Sequence, residues 1–290
     1  MPAEAPKDGF ASVRAVYYRG EGVAGWTDDN FGDGPLNRTL LPLLFPGVRD
    51  DAPDPSHCLL GIGSLLGLWS ELAMLRPGAR LLVFGSGFQY GKPRPLPSGS
   101  RIFCVRGRMS AETLGLPAEA GVADPAILLP RWFAREDAAR PGRSGRFHKW
   151  NYGRVALASA KPMALARAGL AVARRARLAW SARRGPDAPG LAVYASRTEG
   201  DLAGFLRRIW ACERIATDAF HVAVAADAYG IPWRPLRWEF KWQDHFGMLG
   251  IAGRPSGYTL SDRALLAEAQ ATLLRRAAEL RAYVEGGADR

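Results

Sequence analysis

His221 is the side chain in this sequence best placed to move a proton. It falls in the opening turn of a predicted helix within a segment, Ala219 to Pro232, that is otherwise almost wholly apolar. Thr217 or Asp218 can cap that helix, Gly230 can end it, and Pro232 forbids its continuation. A helix N-terminus disfavours an imidazolium and attracts an anion, so acid–base work beside a phosphate is sensible chemistry there. A core histidine bonded to backbone is the plainer alternative. Arg106 and Arg108 flank Gly107 at a predicted strand end, and Ser110 can cap the helix that follows. An arginine fork at such a place can hold a phosphate or carboxylate. A solvated arginine pair is the competing reading in so Arg-rich a chain.

Two glycine-bearing turns add possible contact points. Asn30-Phe31-Gly32-Asp33 follows the first predicted strand, where glycine lets backbone amides approach a ligand and the next helix start favours an anion. A tight turn capped by Asp33 would read the same way. Gly85-Ser86-Gly87 ends another strand and by itself supports only a close turn. Neither turn is a Walker A loop or GxGxxG. His57, His148 and His245 show no metal-ligand spacing, and no HExxH, GxSxG or DxD cluster appears, so no metal site is expected.

The elements that must position these residues recur as strand, Gly-rich turn and helix. Strands are expected over 12–18, 58–62, 80–84 and 101–105, with helices over 36–44 and 65–75 and a helical stretch from Ser110. Charge, glycine and proline accumulate between Arg131 and Gly145, which suits a linker. Beyond it, strands are expected over 153–159, 191–196 and 213–217, and helices over 162–184, 201–210 and 218–229. The segment Arg237–Trp242 is aromatic and basic. An amphipathic helix over 260–284 has Leu265, Leu266, Leu273 and Leu280 among its apolar positions. Such alternation argues for doubly wound, parallel α/β sheets. The expected division is an N-terminal Rossmann-like domain over 1–130, a second over 131–258, and a C-terminal helical segment over 259–290 packing on the body.

With 48% hydrophobic and 23% charged residues the chain is neither disordered nor fibrous. No apolar run approaches the ~18 residues of a membrane span, and the first ten residues lack the layout of a signal peptide. Cys58, Cys104 and Cys212 lie far apart and read as reduced core thiols of a cytoplasmic protein. A net charge of +11 favours anionic partners such as phosphates, acidic glycans, a membrane surface or nucleic acid. Arg167, Arg174, Arg175, Arg177, Arg183 and Arg184 could form the basic face of a membrane-surface helix, although a solvated outer helix is commoner.

The order of the motifs is more specific than any one of them. NFGD after the first strand, GSG with a nearby YG, VRGRMSAETLG, VADPAILLP and ERIATDAFHVAVAADAYGIPW together resemble the polysaccharide pyruvyltransferase family. The likeness is greatest to its exopolysaccharide, succinoglycan-type branch, and covers most of residues 12–130 and 191–242. The resemblance implies two Rossmann-like domains facing across a cleft, similar to GT-B glycosyltransferases. It also implies transfer of the pyruvyl group of phosphoenolpyruvate to a sugar as a ketal, with no cofactor and no nucleic-acid partner. On it, His221 moves the proton and Arg106 clamps the anion, while Asn30, Gly32 and Asp33 shape the acceptor side and Gly85, Ser86, Gly87 and Ser110 line the cleft.

Two departures stand out. Ala219 replaces an arginine that many members carry two positions before the histidine, and Val222 replaces a glycine after it. Arg108, Arg197 or Lys241 could supply the missing charge. The acceptor would be a saccharide, and a lipid-linked one would bring this cytoplasmic protein to the inner membrane. A nucleotide-sugar glycosyltransferase and a non-catalytic glycan-binding relative remain the alternatives.

Overall fold

A computed structural model describes residues 8–17, 31–32, 34–52, 55–68, 78–89, 92–136, 143–148, 191–195 and 202–286. Strands β1 (Val13–Val16), β2 (His57–Leu60), β3 (Arg80–Phe84) and β4 (Arg101–Cys104) form one parallel sheet in that order. Every residue of β2 is buried, as is every residue of β3 after Arg80. Such continuous apolar runs are what a parallel sheet covered on both faces requires. The strands follow chain order and β1 lies at the edge of the ladder. On its far side the Ala15 N–H donates to the Arg49 carbonyl at 2.8 Å, a single parallel bridge with Arg14 opposite Arg49.

A second parallel sheet contains β5 (Ser144–His148), β6 (Leu191–Ala195), β7 (Arg214–Thr217) and β8 (Trp233–Pro235), in the order β6-β5-β7-β8. Here the strand order does reverse, because β5 is flanked by full strands on both sides. Helices α1 (Gly34–Leu44), α2 (Arg108–Thr113), α3 (Leu202–Trp210), α4 (Phe220–Ala228), α5 (Phe240–Met248) and α6 (Arg263–Glu285) complete the regular structure of the described residues, with 3-10 turns over Asp8–Ser12, Ala118–Ala120 and Pro125–Arg131.

Strand β5 begins inside the stretch expected to be a linker. Its sequence has one strong strand former, Phe147, which is fully buried, and ladders on both sides fix its conformation. Tertiary pairing outweighs local propensity there. Strand β8 and helix α5 had no counterpart in the sequence reading. The expected strand 153–159, the helix 162–184 with its arginines, and residues 69–75 of the expected helix 65–75 lie outside the described residues.

Helix α6 starts where Asp262 accepts from the N–H groups of Ala264 (2.8 Å) and Leu265 (3.2 Å). It buries Leu266, Ala269, Leu273, Ala277 and Leu280, while Leu265 faces solvent, contrary to the expected stripe. The helix packs across the first sheet against β4 and the Pro125–Arg131 turn. Gln270 donates to the Ile127 carbonyl (2.8 Å), Arg281 to the Leu44 carbonyl (2.9 Å), and the Arg101 guanidinium lies over Tyr283 at 4.4 Å. Among the described residues no helix is long and apolar enough to cross a membrane.

Candidate functional site

The carboxyl ends of both sheets converge on one place. From the second sheet, β7 leads through Thr217, whose hydroxyl accepts the Ala219 N–H at 2.9 Å, into α4. This turn sets His221 in the first helical turn. Its ring keeps 13% of its side-chain surface exposed, and Nε2 lies 3.2 Å from Oδ2 of the fully buried Asp124. Asp124 comes from the first sheet's side, just after the bridge between Val105 and Gly121. Its other oxygen accepts the Ala126 N–H at 3.0 Å, capping the Pro125–Arg131 turn. Burial raises the Asp124 pKa, but the charge and hydrogen bond of His221, with His245 and Arg106 beyond, outweigh it and hold the carboxyl below its ordinary value. An ionised Asp124 can only accept, so His221 Nε2 donates and Nδ1 is the nitrogen left for exchange.

Gly32 lies beside the Nδ1 edge of that ring. A Cβ at residue 32 would lie 1.6 Å from His221 Nδ1, so any side chain there would occupy the imidazole's place. The turn after β1 and the turn after β7 therefore meet at Gly32 and His221. Such carboxyl-end crevices beside strand-order reversals are where open α/β sheets take ligands.

Arg106, at the carboxyl end of β4, is fully buried. Its Nε donates to Asp244 Oδ2 (3.3 Å), Nη1 to Ser64 Oγ (2.8 Å), and Nη2 to the Phe88 carbonyl. Burial lowers its pKa, opposed by Asp244 and Asp124. Asp244 also accepts the Ser110 backbone N–H (2.9 Å) and hydroxyl (2.6 Å). Gly107 permits this junction, because a Cβ there would meet the Asp244 backbone oxygen at 2.0 Å. The guanidinium thus shows no surface to a ligand in this structure, where an exposed fork was expected. It lies over the Phe220 ring at 5.4 Å, and the largely buried Lys241 ammonium lies over the same ring at 5.8 Å.

The other expected residues divide between scaffold, surface and undescribed segments. Ser86 is buried and bonds the loop after β2, donating to the Gly63 carbonyl at 3.1 Å. Gly85 lies against Pro125 and Gly87 against the Arg106 guanidinium. Ser110 serves Asp244 in place of capping α2. Arg108 is two-thirds exposed and pairs with Glu112 at 2.9 Å. Asn30, Asp33 and Arg197 lie outside the described residues. Among the described residues no group of His, Cys, Asp and Glu is arranged to hold a metal ion.

Sequence reasoning missed Asp124, Asp244 and His245. Asp124-Pro125 carried a readable signal, a capping residue followed by proline at the first helical position. Asp244 and His245 sit in α5, whose inward face also carries Lys241, Trp242 and Phe246. Lys241, with Asp244 and His245 three and four residues on, was the available clue within that aromatic stretch. The His245 ring is fully buried, and its Nδ1 lies 3.1 Å from the Asp124 backbone N–H, which donates to it.

Two parallel α/β sheets thus share a histidine–carboxylate pair beside a buried arginine and a largely buried lysine. The chain belongs to the polysaccharide pyruvyl transferase family, whose model matches residues 59–239. It is similar to the succinoglycan biosynthesis protein ExoV of Rhizobium meliloti (strain 1021), at 30% identity over 242 residues. That alignment takes in 81% of this chain and 66% of the relative, so the chain spans just under two thirds of its relative's length. No solved structure matches the chain. Arg106, Asp124 and His221 fall inside the family match, whereas Gly32, Lys241, Asp244 and His245 fall outside it.

Proposed function

We propose that the protein transfers the pyruvyl group of phosphoenolpyruvate to two hydroxyls of a saccharide, leaving a pyruvate ketal and inorganic phosphate. The His221–Asp124 pair at the junction of the two sheets is the observation that supports this reading most. On this reading the two sheets are the Rossmann-like halves of a cleft similar to that of GT-B enzymes.

The chemistry is that of an enol ether. Protonated His221 Nδ1 gives its proton to the methylene carbon C3, and C2 becomes electrophilic. A sugar hydroxyl adds to C2 and returns its proton to Nδ1. The bond from C2 to the phosphate oxygen breaks, a second hydroxyl adds, and its proton leaves with the phosphate. Asp124 holds the imidazole in the tautomer and orientation this exchange needs, and stabilises the imidazolium between steps. Arg106, tied to Asp244, serves by its field and by position rather than by direct contact, and Lys241 adds a second positive charge beside Phe220. Both favour a multiply anionic donor in a site of low dielectric. The acceptor belongs to a bacterial polysaccharide or its lipid-linked precursor, the latter bringing this cytoplasmic protein to the inner membrane.

Calorimetry with phosphoenolpyruvate and UDP-glucose tests the donor, without knowledge of the acceptor. Binding of phosphoenolpyruvate, with phosphate release on adding oligosaccharide acceptor, supports the reading. Binding of the nucleotide sugar alone makes the protein a glycosyltransferase. Oligosaccharide bound without consumption of phosphoenolpyruvate makes it a non-catalytic glycan-binding relative.

A further inference from the structure

His245 has no part in the chemistry above, yet its ring is fully buried one residue beyond Asp244. It packs against Phe220 (ring centroids 5.5 Å apart) and Phe246 (4.6 Å). Its Nδ1 accepts the Asp124 backbone N–H at 3.1 Å, so in the neutral ring Nε2 carries the hydrogen. That Nε2 is buried and has no hydrogen-bond partner among the described residues. A leucine or phenylalanine would fill the same space without stranding a donor, so packing alone does not account for a histidine here.

We propose that His245 is a positioning residue for the His221–Asp124 pair. By accepting the Asp124 N–H through an unprotonated Nδ1, it fixes the residue whose carboxylate sets which nitrogen of His221 is free for exchange. The proposal deepens the reading of His221 as the proton-transfer group and rests on it. Charged and titratable groups surround the ring from each side: Arg106 at the end of β4, Asp124 before the 3-10 turn, His221 on α4, and Lys241 and Asp244 on its own helix. Burial, with Arg106 and His221 assisting against the pull of Asp124, pushes the imidazole down to about 3. The ring therefore stays neutral, and Nδ1 stays an acceptor, throughout the range in which His221 would work.

Nitrogen-15 NMR of the four imidazoles tests this on the full chain without any substrate. The wild-type protein should show His245 with an unprotonated Nδ1 and a protonated Nε2, unchanged from pH 5 to pH 8, and His221 with its proton held on Nε2. In His245→Leu the His221 tautomer should become mixed, and in His245→Asn, which can still present an oxygen near the Nδ1 position, it should recover. A protonated Nδ1 on wild-type His245 overturns the proposal, even if neither variant folds. So does an unchanged His221 tautomer in folded His245→Leu. In turnover, His245→Leu should lower kcat by about 100-fold, the scale of an ångström's misplacement, with KM changed little. If the wild type releases no phosphate from phosphoenolpyruvate, the functional reading fails while the NMR result still decides the role of His245.

Discussion

The two sheets contribute to the site in opposite currencies. The second supplies side chains from its helices: His221 from α4, and Lys241, Asp244 and His245 from α5. The first supplies chiefly room, through Gly32 beside the His221 ring and Gly107 beside Asp244, and adds the carboxylate of Asp124 and the sealed Arg106. Their strand orders differ: the second reverses around β5, whereas the first runs in chain order with only a single bridge beyond β1. Glycines that look like ligand-approach loops in sequence can be occupied by the protein's own side chains from a distant part of the chain.

The sharpest way to separate the contributions is to remove the second sheet's imidazole. His221→Ala should lower phosphate release from phosphoenolpyruvate by about 10²- to 10⁴-fold in steady-state kinetics, with the fold retained. Unchanged turnover at saturating substrate would take His221 out of the mechanism. Breaking the ion pair that joins the halves acts on stability instead. Asp244→Asn leaves the Arg106 charge without its carboxylate in the interior and should cost about 3–5 kcal/mol in denaturant unfolding.

Gly32→Ala tests whether room is what the first sheet provides. The added methyl group collides with the ring, and overpacking of that kind costs about 1–3 kcal/mol. The cost should largely vanish when Gly32→Ala is made in the His221→Ala background, a double-mutant cycle with a coupling of about 0.5–3 kcal/mol. Equal costs in both backgrounds would mean that Gly32 answers to its backbone and not to the ring.

Acid exposes the smallest of these effects. His245 is held to about 3 in the folded protein against an ordinary value near 6.5, so the unfolded chain binds the extra proton first. Its contribution is fully present above pH 6.5 and is lost as pH falls from there towards 3. Between pH 7 and pH 5 this amounts to about 2 kcal/mol, which His245→Leu should abolish in urea titrations at the two pH values. Asp124, depressed in the folded state, acts lower: its stabilisation is present above its ordinary carboxyl value and is lost as pH falls below it.

Much of the strand pattern was legible because buried parallel strands are apolar runs closed by glycine. Arg80–Phe84 emerged with the same limits in sequence and structure. The end of helix α4 was legible from Gly230 and Pro232, and with it the place of His221, whereas its N-cap is Ala219 with no side-chain cap, where Thr217 or Asp218 was expected. Strands β5 and β8 were not, since short segments such as Ser144–His148 are held by ladders that local propensity does not record. The site was legible in its motifs but not in its wiring. Nothing in the sequence says that Asp244 turns towards Arg106, 138 residues away, or that Asp124 turns towards His221, 97 residues away. Such contacts depend on how two sheets meet, and an arginine beside a strand end reads alike whether it faces solvent or a carboxylate.

The seat of the last helix has a consequence for the order in which the molecule is made. Arg281 reaches the Leu44 carbonyl across 237 residues of chain, and Gln270 reaches Ile127 across 143. Every residue between β4 and α6 must therefore leave the ribosome before the first sheet receives its cover. At about 5–20 residues per second, the apolar surface around β4 waits some ten seconds or more for its partner. During that interval the early half depends on other protection against association, and removing the final thirty residues would make the interval permanent.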